Sequence, residues 1–199
     1  NLKLKISYSA QLFLQQENGR FIQKSLLPNA DISNKRWEDT GVLLFDADSD
    51  GDLDLYSASG GYENERNTMA YQDKLFINDG KGNFKIDSSA LPQNFTSKFC
   101  VRASDYDKDG DLDLFVAGRV DPWNYPKPVS SFIFRNDSRK GKAKFTDVTK
   151  TIAKDLINIG LVCDAVFTDF DNDGWQDLIL AGEWMPVTFF KNEKGSFKN

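Results

Sequence analysis

Apolar residues in this chain fall in short runs separated by clusters of Asp, Asn and Gly, and the runs recur in a fixed order. One phrase reads "DADSDGDLDLYSAS" from Asp46, "DYDKDGDLDLFVAG" from Asp105 and "DFDNDGWQDLILAG" from Asp169, at spacings of 59 and 64 residues. A second recurs in another phase: "LFLQQENGRF" from Leu12, "LFINDGKGNF" from Leu75, "FIFRNDSRKGKAKF" from Phe132 and "TFFKNEKGSF" from Thr188. The runs are rich in β-branched and aromatic residues and end on turn formers, and no helical period persists beyond a few residues. That is the signature of short strands joined by tight turns. Only "TKTIAKDLINIG" (Thr149 to Gly160) has room for one short helix.

The chain is therefore expected to be all-β, with four antiparallel strands in each unit of roughly 60 residues, which is the blade of a β-propeller. Residues 1–39 would supply an outer half-blade and a connector. Residues 40–98 and 99–160 would each form a blade, and 161–199 a partial blade. Such repeats bury their faces only against neighbours, and this number of units is short of the commoner rings of roughly 4 to 8 blades. The chain reads as part of a larger propeller, a fragment or a processed product. A closed four-bladed ring completed by the N-terminal half-blade is the alternative.

Composition narrows the chemistry. The 199 residues include no histidine, which removes Ser-His-Asp and Cys-His catalysis and most zinc sites. A net charge of −5 argues against nucleic acid as a partner. No apolar run approaches the roughly 18 to 20 residues of a membrane-spanning helix. Cys100 and Cys163 form no CxxC pair and read as two buried free thiols, with a disulfide as the alternative.

The Asp-rich phrases carry the strongest chemical signal. In each, positions 1, 3, 5 and 9 are Asp: Asp46, Asp48, Asp50 and Asp54; Asp105, Asp107, Asp109 and Asp113; Asp169, Asp171, Asp173 and Asp177. Position 6 is always Gly (Gly51, Gly110, Gly174). A loop that curls around a hard cation needs alternate carboxylates pointing inward and one residue free to turn sharply. Position 7 (Asp52, Asp111, Trp175) would offer only its backbone carbonyl, which is why Trp is acceptable there. Oxygen ligands in this number suit Ca²⁺ better than Mg²⁺, so three calcium sites are expected. Position 12 is Ser57, Val116 or Leu180 rather than Glu, which excludes an EF-hand. These loops hold 14 of the 30 acidic residues, and without metal each cluster should repel itself.

The Asp loops and the "LFxNxGxGxF" hairpins resemble FG-GAP/VCBS repeats, the units of the integrin α-subunit propeller. The segments "GRVDPWNYPKPVSSFIFRND" (Gly118 to Asp137) and "DFDNDGWQDLILAGEWMPVTFFKN" (Asp169 to Asn192) are most similar to large bacterial VCBS-repeat proteins. Those often end in an ASPIC/UnbV-type domain, which this sequence lacks. The resemblance implies a propeller of about seven blades and a calcium-rich setting outside the cell or on the outward-facing bacterial outer membrane. It also implies a role as a binding or assembly module, accessory in some cases to outer-membrane nutrient uptake.

Strand alternation puts the Asp loops and the 3–4 hairpins on one edge of the blades. The 2–3 loops and 4–1 connections fall on the other. The longest irregular segments lie on that second edge and carry Tyr62, Arg66, Tyr71, Arg119, Trp123, Tyr125, Glu183 and Trp184. Aromatics beside Arg suit a protein partner or a glycan at the cell surface, and integrin-like propellers use this edge for ligands. The alternative is that Trp123 and Tyr125 pack inward against their own proline-rich loop. Glu183 beside Trp184 could hold a raised pKa, and some polysaccharide lyases and dehydratases are built on similar propellers. A polysaccharide-active enzyme is thus the second expectation beside a non-catalytic binding module.

Overall fold

A computed structural model describes residues 11–26 and 38–199. The N-terminal hairpin pairs β1 (Gln11–Gln15) with β2 (Phe21–Ser25). Three four-stranded antiparallel sheets follow. The first is β3 (Asp39–Phe45), β4 (Asp54–Ser59), β5 (Lys74–Asn78) and β6 (Phe84–Ile86). The second is β7 (Ser97–Ser104), β8 (Asp113–Val120), β9 (Phe132–Asn136) and β10 (Phe145–Asp147). The third is β11 (Leu161–Thr168), β12 (Asp177–Glu183), β13 (Thr188–Asn192) and β14 (Phe197–Lys198). Strand order follows chain order in each, and each sheet is open. A short helix, α1 (Thr149–Ile152), sits in the segment where the sequence allowed one and runs into a 3₁₀ turn at Lys154–Leu156.

Residues 161–199 thus form a full four-stranded sheet rather than the partial blade expected, because "SFK" is long enough for a two-residue pairing with β13. Of the N-terminal unit, residues 1–10 and most of the connector lie outside the described residues.

The core is a stack of sheets, and period-2 alternation lets one strand serve two neighbours. In β8, Leu114 and Val116 face the first sheet, with Phe45, Tyr56 and Leu75. Phe115 and Ala117 on the same strand face the third sheet, with Leu178, Leu180 and Phe190. The outermost faces are different. Val42 and Leu44 on β3 are exposed, although their repeat equivalents Val101 and Ala103 pack against the first sheet. At the other end Val166, Phe170 and Phe189 are exposed, although their equivalents Leu43, Ala47 and Leu75 are packed between sheets. The β1–β2 hairpin lies on the first-sheet side, where Lys24 Nζ donates to Gly82 O (2.9 Å) and Asn83 Oδ1 (2.6 Å) of the β5–β6 turn.

A buried ion pair joins the first two sheets. Lys98 Nζ lies 3.3 Å from Asp73 Oδ1 and donates to the carbonyls of Tyr71 (2.5 Å) and Asn94 (2.8 Å). Tyr56 donates to Asp73 Oδ2 at 2.6 Å. A charge this deep is tolerable only when its hydrogen-bonding capacity is filled, and three acceptors fill that of Lys98. Cys100 is buried, and burial pushes its thiol up to about 11, whereas Cys163 is half-exposed rather than buried.

Candidate functional site

The β3–β4, β7–β8 and β11–β12 connections are the three Asp loops, and one local design builds all of them. Gly at position 6 takes φ of +98°, +99° and +87° at Gly51, Gly110 and Gly174. Position 4 is also left-handed, at Ser49 (+60°), Lys108 (+64°) and Asn172 (+59°). The sequence signalled only the first of these turns; Asn172 alone is a residue type that favours such a φ. The position-1 carboxylate then accepts the position-6 amide: Gly51 N to Asp46 (3.0 Å), Gly110 N to Asp105 (3.2 Å) and Gly174 N to Asp169 (2.8 Å).

Position 9 starts the second strand and is buried in each sheet. Its two oxygens accept backbone amides from two directions. Asp54 takes Asn78 N (2.8 Å) and Ala47 N (2.9 Å). Asp113 takes Asn136 N (2.8 Å) and Tyr106 N (3.4 Å), and Asp177 takes Asn192 N (2.7 Å) and Phe170 N (3.2 Å). Position 9 therefore has a structural task in addition to any role as a ligand.

Carboxylate oxygens converge within 4.8 Å in each loop, though from different positions: Asp46, Asp48 and Asp50; Asp105, Asp107 and Asp113; Asp169, Asp171 and Asp177. Asp109 and Asp173 instead accept the amides of Asp111 (3.0 Å) and Trp175 (2.9 Å). Asp52 and Asp111 point away from their loops' clusters, and Asp111 Oδ1 accepts Ser49 Oγ of loop one at 3.1 Å. The Trp175 ring stacks under Lys108 Nζ of loop two at 4.2 Å.

The first two loops contain buried carboxylate oxygens without a hydrogen-bond partner, Asp48 Oδ1 and Asp105 Oδ1. Asp48 is only 2% exposed. Burial, followed by the charges of Asp50, Asp54 and Asp46, raises its pKa to about 6. Burial, with Asp107 and Asp109 adding to it, raises Asp113 to about 7. Unpaired buried carboxylates are expensive, and a divalent cation among them would satisfy both the charge and the empty lone pairs. Loop three differs. Lys191 Nζ pairs with Asp171 and lies 3.0 Å from Asp173 Oδ2. The Trp175 amide, then this ammonium, holds the Asp173 carboxyl below its usual range.

A feature not anticipated from the sequence ties each loop to the next blade. The Asn that ends the third strand is buried at Asn136 and Asn192. Asn136 Nδ2 donates to Leu112 O (3.2 Å) in its own blade and to Ala47 O (3.5 Å) in loop one. Asn192 Nδ2 donates to Gln176 O (3.0 Å) and to Tyr106 O (2.8 Å) in loop two. The repeated Asn in "FIND", "FRND" and "FKNE" was the available signal, since a strand end facing a core would otherwise favour an apolar residue.

At the opposite edge, the non-repeated loops meet. Tyr62 and Trp123 contact edge to face, with centroids 6.0 Å apart. Trp184 Nε1 donates to Tyr125 OH (2.6 Å), and Tyr125 OH donates to Glu183 Oε2 (3.1 Å). Arg119 pairs with Glu183 at 2.7 Å and lies over Phe99. Tyr62, Arg119, Trp123 and Tyr125 line one cavity, and Glu183 and Trp184 join it through Tyr125. Trp123 and Tyr125 are 66% and 55% exposed, so they do not pack inward. Arg66 is separate, paired with Asp121 at 3.4 Å, and Tyr71 is buried. Glu183 departs from the raised pKa expected beside Trp184: the Arg119 and Tyr125 hydrogen bonds lower it, because the indole turns its N–H to Tyr125 and leaves the carboxylate facing a guanidinium. The segment Pro28 to Thr40, apart from its last three residues, lies outside the described residues.

Residues 46–116, which span loops one and two, match the FG-GAP-like repeat family. The matched segment is similar to an FG-GAP-like repeat. It is also 28% identical over 196 residues to mouse (Mus musculus) cartilage acidic protein 1, an alignment that covers 94% of this chain and 28% of that protein. This chain thus spans little more than a quarter of the length of that relative. Among the described residues no helix is long and apolar enough to cross a membrane.

Proposed function

We propose that this chain is a calcium-bearing segment of a larger propeller and acts as a non-catalytic binding module outside the cell or at its surface. The observation that carries the binding reading is the convergence of Tyr62, Trp123, Tyr125 and Trp184 around the Arg119–Glu183 pair. These residues come from three different blades, and loops on a rigid frame are where binding concentrates. FG-GAP-like repeats support the same reading, and the name of the relative, which refers to cartilage, supports an extracellular setting.

Calcium would supply charge neutralisation and rigidity. Asp46, Asp48 and Asp50 would hold it in loop one and Asp105, Asp107 and Asp113 in loop two, with the position-7 carbonyls completing the set. The orphaned oxygens of Asp48 and Asp105 support these two assignments. Loop three, with Asp169, Asp171 and Asp177, would bind more weakly because the Lys191 ammonium already pairs with Asp171 and Asp173 and offsets part of its charge. The uncovered apolar positions at both ends of the stack support continuation into further blades.

A polysaccharide-active enzyme is less well supported. A carboxylate held low by a guanidinium, as Glu183 is, makes a weak general base. The deciding experiment is capture of partners from an extracellular or cell-envelope extract by the chain and by a Trp123→Ala/Tyr125→Ala variant. Loss of capture with an unchanged melting temperature is expected. Full capture by the stable variant would overturn the assignment of this edge.

A further inference from the structure

We propose that the cavity on the aromatic edge, between the first two sheets, binds a short pyranose oligosaccharide. This rests on the reading of that edge as the binding face and names the class of ligand. The cavity holds about 580 Å³ and is walled by Tyr62, Phe99, Arg119, Trp123 and Tyr125. That volume lies within the roughly 300–1,000 Å³ of pockets for compact ligands and gives room for about two or three six-membered rings. A protein partner needs a contact of roughly 800 Å² on each side, which a recess of this size does not provide by itself.

The arrangement of polar atoms favours a sugar. Trp184 gives its N–H to Tyr125, and Tyr125 gives its O–H to Glu183. With those polar atoms engaged, the Trp184 ring presents a bare apolar plane to solvent at 78% exposure, and the Trp123 ring is 66% exposed. Both tryptophans adopt left-handed backbone, φ +56° and +67°, which is unfavourable for bulky residues and tends to persist where a site requires it. A pyranose has an apolar C–H face that stacks on such planes and a rim of hydroxyls that needs donors and acceptors.

Arg119 meets the second need. Its guanidinium has five N–H donors, and among the described residues its ion pair is with Glu183 Oε1, which leaves donors over. Lys98 also lines the cavity, but its ammonium is committed to Asp73, Tyr71 O and Asn94 O. Among the described residues that line the cavity the charged ones are Lys98 and Arg119, and the carboxylates of Glu38 and Glu63 lie against its Gly61 edge. The pocket therefore fits a saccharide through its ring planes and the Arg119 guanidinium.

The test is titration with defined trimers built from glucose, xylose, N-acetylglucosamine and uronic acid, followed by tryptophan emission and calorimetry. At least one trimer should bind saturably. Affinity should fall by about tenfold or more in Trp123→Ala/Tyr125→Ala, while calcium content and melting temperature stay unchanged. If that variant melts lower, Trp184→Ala, which removes a ring already mostly in solvent, should show the same direction of change. Absence of binding by every trimer up to about 10 mM, weaker than any affinity expected of a specific site, overturns the ligand class. If the double variant in that case still loses a protein captured from extract, the binding face stands with a protein ligand. Trimer binding that survives both variants keeps the sugar and overturns the site.

Discussion

Loops one and three follow the same nine-residue formula and reach different electrostatic ends. Both turn through a left-handed position 4 and a glycine at position 6, and both lock position 9 with two backbone amides. The difference comes from a single residue on the neighbouring third strand. The residue before the strand-end Asn is Ile77 opposite loop one, Arg135 opposite loop two and Lys191 opposite loop three. Ile77 brings no charge, and Asp48 is left buried with an unpartnered oxygen. Arg135 turns aside to Asp137 (2.8 Å). Lys191 reaches the carboxylates and pairs with two of them. Acidic spacing thus prescribes a loop, while a strand some twenty residues away decides whether the loop needs an external cation.

Removing calcium should give the largest effect and break the symmetry between the loops. A ligand present at about 100 times its dissociation constant stabilises the folded state by about 2.7 kcal/mol per site. Two such sites are a large share of a total of roughly 5–15 kcal/mol. The melting temperature should fall markedly in EGTA, and an unchanged curve would contradict the calcium assignment. Hydrogen exchange should sharpen the contrast. The Gly51 amide, bonded to Asp46, should lose much of its protection in EGTA, while the Gly174 amide, in the loop that Lys191 pairs with, should lose less. Equal loss at both would show that Lys191 does not replace the ion.

The next effect concerns single carboxylates. Asp48→Ala should reduce the number of tightly bound ions by one and lower stability by about 2–3 kcal/mol in calcium. In EGTA the same change should be neutral or stabilising, because it deletes a buried, repelled and unsatisfied charge. Asp171→Ala should leave the count of tightly bound ions unchanged in calorimetric titration. A loss of one tight ion from Asp171→Ala, or none from Asp48→Ala, would reverse the ranking.

The latches between blades come third. Asn136→Ala and Asn192→Ala should each cost about 1–3 kcal/mol, since a buried carbonyl in the preceding loop loses its donor. Asn192 should be the larger, given its 2.8 Å bond to Tyr106 against 3.5 Å from Asn136 to Ala47. Chemical denaturation of both variants in saturating calcium provides the comparison, and two neutral variants would mean that the latches add nothing.

How much of this was legible in the sequence follows from what repeats. Four-stranded sheets were legible because β8 and its equivalents alternate apolar residues at period 2 between fixed turn signals, and three copies reinforce one another. Carboxylate convergence within each loop was legible for the same reason. The unequal charge of the loops was not, because nothing in the repeat shows that Lys191 reaches Asp171 and Asp173 while Arg135 turns to Asp137. Asn136 is a polar residue at a strand end, yet it is 3% exposed and donates across a blade boundary. The aromatic edge was legible only as a set of residues on the same side. That Trp184 would bond Tyr125 depends on loops from two blades whose lengths and turns have no internal copy.

The smallest effect, and the most selective, is expected at Lys191 itself. Lys191→Met keeps the length and apolar stem of the side chain and removes only the ammonium. Asp169, Asp171 and Asp177 would then face one another without an internal counter-ion, as Asp46, Asp48 and Asp50 do. Exposed pairs are individually weak and screened by salt, so the gain in calcium affinity at loop three should be modest, roughly severalfold to tenfold at low ionic strength. It should shrink as salt is added, since the competing ammonium is itself screened in the wild type. Calorimetry at two salt concentrations would register it as a tighter third binding event, with the first two unmoved. The converse exchange, Ile77→Lys, should weaken loop one. If neither exchange alters the binding isotherm, the difference between the loops lies in their backbones and not in the strand beside them.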